Sequence, residues 1–245
     1  MEAINDHILG LKISIEKLMQ GKFWLYLIPA LVIGILYYAS ASYMEQYEEN
    51  TWFASVPWIG SYLNKGAVAV MGFASYLLFM FYKFLVLTAL SPVNCLLSEK
   101  LDNELTGAKF SGGFVRIITD LLRAVFILVV ALFLNFMIMG IWWLFAWITG
   151  FHAIDSLIYW LINSFFLGFA FYDYSLERYG EAIFSSFGFG FGRMLHVLLT
   201  GALFNLIYLI PYAGILLAPF LVTMVSTVVY LKTKGKLTQT KAEVL

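Results

Sequence analysis

Between Arg123 and Asp155 the chain carries no Asp, Glu, Lys or Arg. An uncharged run of about 18 residues or more is long enough to cross a bilayer core of roughly 30 Å. This run places a membrane around the fold, and the composition agrees. Hydrophobic residues make up 62% of the chain and charged residues 12%, with a mean hydropathy of +0.85. A soluble domain is typically about one quarter charged. The expected class is an all-α integral membrane protein. Net charge is zero and no Lys/Arg tract occurs, so nothing points to a nucleic-acid partner. Cys95 is the single cysteine, which excludes an intrachain disulfide. Met1 to Gly21 contains three acidic residues, Glu2, Asp6 and Glu16, and lacks an apolar core segment. The first hydrophobic segment is therefore expected to act as an uncleaved insertion signal.

Ile4, Ile8, Leu11, Ile15 and Leu18 recur at three- and four-residue spacing, with Asp6, Lys12, Glu16 and Lys17 between them. This predicts an amphipathic helix over residues 1–21, lying on the membrane surface or against a partner helix. Residues 23–44 form the first expected span. Lys12, Lys17 and Lys22 precede it, and no Lys or Arg follows until Lys65, so the N-terminus is expected in the cytoplasm. The aromatic-rich stretch Thr51 to Gly66 reads as an interfacial belt. Residues 67–89 form the second span, with Lys83 near its inner end.

A polar island at residues 91–107 follows. Ser91 suits an N-cap, Pro92 the first helical position and Gly107 the C-terminal stop. A kinked continuation of the second span through Pro92 is the alternative. Residues 124–172 read as an apolar hairpin with Asp155 at its turn, bounded by Arg116 and Arg123 before it and Arg178 after it. Residues 195–231 repeat the pattern around Ile210-Pro211-Tyr212-Ala213-Gly214. Each arm has roughly 16 residues, about 24 Å, too short for a full crossing. A re-entrant hairpin with a buried turn, and hence an oligomer that shields it, is the expectation. The tail, 232–245, is expected in the cytoplasm with the N-terminus.

The order of these features resembles the CysZ-type sulfate permease family, which shares its domain with the etoposide-induced membrane proteins. Ser91-Pro92-Val93-Asn94-Cys95-Leu96-Leu97-Ser98-Glu99-Lys100-Leu101 is similar to that family's Ala-Pro-Phe-Asn…Leu-Leu-Ala-Glu motif, and Leu105-Thr106-Gly107 to its end. Tyr172-Asp173-Tyr174 resembles its Asp-Tyr island. Leu209-Ile210-Pro211, Gly214 and Ala218-Pro219 resemble its last hairpin turn. Gly21 and Leu27-Ile28-Pro29 fit the start of its first span. The resemblance implies two long transmembrane helices, two partly penetrating helical hairpins and a homo-oligomer of two or more copies. It also implies a single membrane domain in the bacterial inner membrane. The implied activity is passive uptake of a small inorganic anion, sulfate, for sulfur assimilation. Where the family carries an Arg pair, this chain has Phe23 and Trp24, so the implied anion site is Gly21, Lys22, Phe23 and Trp24.

Pore or gating candidates are Asn94, Glu99, Lys100 and Glu104; otherwise the charges of this island form the wet face of a helix. Asp173 is expected to form a structural ion pair with Arg116 or Arg123, and Arg178 is a further candidate partner. His7 and His196 read as isolated, and no His pair has ligand spacing, so no metal or other cofactor is expected. Phe187-Gly188-Phe189-Gly190-Phe191-Gly192 lacks the context of a phosphate loop and reads as a flexible surface segment. No nucleophile–base pair suggests an enzyme. A non-transporting, membrane-organising protein of the same fold is the competing expectation.

Overall fold

The computed structural model describes residues 1–49, 65–66, 70, 83, 86–110, 114–210 and 213–237. The expected aromatic belt, most of the second span, the Pro211-Tyr212 tip, the Arg116 side chain and the last eight residues lie outside them. Every regular element among the described residues is a helix, and none of these residues forms a strand. The chain divides into two compact units, Leu31–Val86 and the remainder.

Eight helices are described: α1 (Glu2–Met19), α2 (Leu27–Glu49), α3 (Ser91–Thr106), α4 (Phe114–Thr149), α5 (Asp155–Arg178), α6 (Ile183–Gly192), α7 (Met194–Tyr208) and α8 (Ala213–Thr233). A 3₁₀ turn at Trp24–Tyr26 leads into α2. The chain leaves α1 through Gly21, whose φ of 75° suits a residue without Cβ. The first span was expected over 23–44; its helix starts at Leu27 and runs on to Glu49. All of α2 beyond Ala30 belongs to the smaller unit.

Among the described residues, two helices, Ile118–Thr149 of α4 and Ala213–Thr233, are long and apolar enough to cross a membrane. Their surroundings differ. Only 17% of the most apolar window of α4 is buried by the rest of the chain, against 83% for α8. Thus α4 presents its side chains to the surroundings, whereas α8 is the pillar of the larger unit and touches α1, α3, α5 and α7. Val222, Met224, Val225, Val228 and Val229 of α8 have no exposed surface.

Helix α1 turns the usual amphipathic arrangement outward. Its buried face is Ala3, Asp6, His7, Gly10, Ile13, Ser14 and Lys17, packed on α7 and α8. Ile4, Ile8 and Ile15 of the apolar stripe are 51%, 59% and 49% exposed, and Leu11 and Leu18 are half-buried. Gly10 allows the close approach: a Cβ there would lie 3.1 Å from Val225 Cγ1. Small residues also set the α5–α7 crossing. A Cβ on Gly168 would collide with the Val197 carbonyl, and one on Gly201 with the Ser164 carbonyl. In lipid, helix association rests on such close contact rather than on expelling water. Asn205 Nδ2 donates to Ser164 Oγ (2.9 Å) at the same crossing.

The first hairpin pairs α4 with α5 through a turn at Gly150 (φ 68°). Trp142 Nε1 donates to Asp155 Oδ1 (2.8 Å), and His152 Nδ1 meets Asp155 Oδ2 (2.8 Å), clasping the tip. In the second hairpin the arms are unequal, contrary to expectation. Helix α7 has 15 residues and α8 has 21, about 23 and 32 Å respectively at 1.5 Å per residue. The sequence count placed the turn midway, but α8 continues past Leu231 to Thr233 and carries Pro219 inside it.

The Phe-Gly repeat is another correction. It forms helix α6, bent by 90° from α7. Phe187 stacks on Phe169 (4.6 Å) and Phe191 packs on Phe165 (5.3 Å). Between them, a Cβ on Gly190 would come within 2.8 Å of the Phe169 ring. The glycines let a short helix press its aromatic rings onto α5.

Candidate functional site: a buried charged seam beside an open cleft

Helix α3 ends as expected, with Gly107 in the left-handed region (φ 78°) and its N–H bonded to Asn103 O at 2.8 Å. Its start differs. Leu90 takes the cap position with helical angles (φ −85°, ψ −5°), and Ser91 is already inside the helix. Val86–Ala89 is helical too, so the chain enters α3 through one turn residue and needs no extended cap. Ser91 is left 3% exposed, and its Oγ has no hydrogen-bond partner.

Of the α3 charges, Glu99, Lys100 and Glu104 stay partly exposed, but Asp102 is buried and leaves the wet face that the composition suggested. Asp102 and Arg178 form an ion pair at 2.9 Å, both side chains fully buried. Arg178 Nε also donates to Asp102 Oδ2 (3.0 Å), and Nη1 to Ser98 Oγ (2.8 Å). Tyr179 OH (2.9 Å) and Thr106 Oγ1 (2.8 Å) donate to the same carboxylate. Ser98 Oγ lies 2.7 Å from Thr227 Oγ1 and 3.4 Å from Ser175 Oγ. A seam of one cation, one anion and several hydroxyls therefore runs between α3, α5 and α8. Arg178 pairs with Asp102 rather than Asp173, because residues 173 and 178 are too far apart on α5 to share a face.

An open cleft of about 480 Å³ adjoins this seam, lined by Tyr26, Leu96, Glu99, Lys100, Asn103, Lys109 and Phe110. Phe110 joins the two: its ring lines the cleft and lies 5.2 Å from the Arg178 guanidinium carbon. On the seam's other side the tail ammonium of Lys236 sits 3.2 Å from the Tyr179 ring centre. Loss of hydration lowers the Lys236 pKa.

The implied anion-site residues flank the cleft. Lys22 is exposed and lies 4.0 Å from Glu104 Oε1, while its carbonyl accepts from Lys100 Nζ (3.1 Å). Glu104 also meets Lys17 at 3.5 Å. Phe23 is fully buried with Lys100 Nζ 5.3 Å from its ring centre, and Trp24 Nε1 donates to Leu18 O (2.8 Å). The structure thus brings Lys22, Lys100 and Glu104 together and turns Phe23 inward. Glu99 and Lys100 line the cleft. Asn94 does not: it is 3% exposed, and its Nδ2 donates to Tyr174 OH (3.5 Å), bridging α3 and α5.

Asp173 pairs with Arg123 at 2.9 Å, and the same guanidinium donates to Ser186 Oγ (2.9 Å) and Glu181 O (2.7 Å). This ties α4 to α5 and α6. Nearby, Cys95 Sγ lies 3.6 Å from Asp120 Oδ2. Burial, then the Asp120 and Asp173 carboxylates, push the Glu177 carboxyl above its ordinary pKa.

The two isolated histidines are neighbours. Their rings are 6.2 Å apart. His196 Nε2 meets Asp6 Oδ2 (3.1 Å), His7 Nε2 lies 2.8 Å from Thr200 Oγ1, and Thr200 Oγ1 donates to Tyr172 OH (3.1 Å). A separation of 189 positions hid this cluster (196 − 7). The polar residues on α1's small-residue face were the available signal. Neither a known protein-family model nor a curated protein matches this chain.

Proposed function

We propose that the protein is a facilitative transporter for a small inorganic anion, sulfate by resemblance, in the bacterial inner membrane. The observation that carries this reading is Phe110, which separates a lysine-bearing cleft from the buried Arg178 guanidinium. Charged groups inside a membrane protein mark solute paths by default. A guanidinium offers a fixed fork to an oxyanion, so Arg178 supplies what Phe23 and Trp24 do not. An anion drawn in by Lys22, Lys100 and Lys109 would pass the Phe110 ring and meet Arg178, with Ser98, Ser175 and Thr227 completing its solvation. Flux follows the gradient. In this reading both termini are cytoplasmic, α7 stops short of a full crossing, and a homo-oligomer shields the hairpin turn.

The test is radiolabelled sulfate uptake into proteoliposomes. Saturable uptake that falls in Lys100→Ala and rises in Phe110→Ala is expected. No uptake above empty liposomes, from correctly assembled protein, would defeat it. That result favours a membrane-organising role, for which the exposed Ile4, Ile8 and Ile15 stripe of α1 is the supporting observation.

A further inference from the structure

We propose that Cys95, Asp120 and Glu177 form a binding site for a first-row divalent transition-metal ion of the zinc type, where α3, α4 and α5 meet. One ligand atom from each of these residues lies within 4.8 Å of the other two. Cys95 is buried and the two acids are half-buried. The site is independent of the anion path.

The chemistry of the set selects the ion. A thiolate favours zinc-type ions over Ca²⁺ and Mg²⁺, which take oxygen ligands throughout. Around a tetrahedral ion with bonds of about 2.3 Å to sulfur and 2.0 Å to oxygen, neighbouring ligand atoms stand about 3.5 Å apart. The Cys95 Sγ–Asp120 Oδ2 separation of 3.6 Å already has that value. Glu177 has to close by up to about 1.3 Å, from 4.8 Å to about 3.5 Å, which a rotation of its long side chain provides.

A second observation points to a bound species. One helical turn before Cys95, on the same face of α3, the Ser91 hydroxyl is buried without a hydrogen-bond partner. Buried hydroxyls are normally satisfied, and an orphan asks for an unseen water or ion. A metal-bound water beside the thiolate would accept or donate that bond and fill the fourth position. Binding releases the thiol proton, and any proton held by Glu177, to solvent. The ion would then pin α3 to α4 and α5, the helices that carry Asp102, Arg123 and Arg178.

The test is a Co²⁺ titration of the full chain in detergent, read by the near-ultraviolet thiolate-to-Co²⁺ charge-transfer band. Because Cys95 is the single cysteine, such a band has one source. Expected are one ion per chain, displacement by Zn²⁺ but not Ca²⁺, and loss of the band in Cys95→Ser. Glu177→Gln and Asp120→Asn should each weaken binding roughly tenfold or more, since loss of an outer-shell partner alone costs that much. Both are near-isosteric, which keeps the test open if Cys95→Ser misfolds. No band in the wild type, or a band with unchanged affinity in both carboxylate variants, would overturn the site.

Discussion

Breaking the Asp102–Arg178 pair should be among the most damaging single changes in this protein. Both side chains have no exposed surface, so removing one leaves the other as an uncompensated buried charge. Asp102 accepts from Arg178, Tyr179 and Thr106, with distances of 2.8–3.0 Å. Deleting one partner of such a pair costs about 3–5 kcal/mol. Asp102→Leu and Arg178→Met should each lose that amount in reversible SDS-titrated unfolding, followed by tryptophan fluorescence. The double variant removes both charges. It should be destabilised by much less than the sum, with a coupling energy of at least ~2 kcal/mol. Losses under about 1 kcal/mol in the single variants, or strict additivity in the double, would refute the claim that burial without compensation dominates.

Three further predictions follow from local geometry. Gly201→Ala drives a Cβ into the Ser164 carbonyl; because backbone has to move, a loss of about 3 kcal/mol or more is expected by the same unfolding assay. Gly107→Ala meets no atom within 4 Å but forces Ala to φ 78°, so its cost should stay near 1 kcal/mol, from the left-handed backbone alone. Burial depresses the His7 pKa below its unfolded value of 6.5, despite the bond to Ala3 O and with His196 and Asp6 close by. The folded state then binds fewer protons than the unfolded one, so His7's contribution is intact above pH 6.5 and lost as pH falls through the folded pKa. His7→Gln should flatten that slope in unfolding measured from pH 7.5 down to 5, a range set to bracket the ordinary His value of about 6.5.

The sequence by itself determined the all-helical class, the long apolar helix after Arg123 and the stop at Gly107. Each follows from local chemistry: the uncharged run after Arg123 can be satisfied only as helix in lipid, and a glycine after a capped polar helix suits the left-handed position. Local pattern also exposed the two faces of α1, although not which face the chain would cover. That depended on Gly10 meeting Val225, and on Asp6 and His7 finding partners across α7. The tertiary structure alone decided the pairings. Asp102 reads as a surface acid in its own helix, and only the approach of Arg178 from α5 makes it a buried anion. The Phe-Gly repeat reads as flexible until Phe169 and Phe165 stand opposite its rings. Cys95, Asp120 and Glu177 lie on three helices with no spacing to reveal them. Periodicity reports which residues share a face of one helix; which faces meet is set by close packing and by the need of buried polar groups for partners, and both arise between segments distant in the chain.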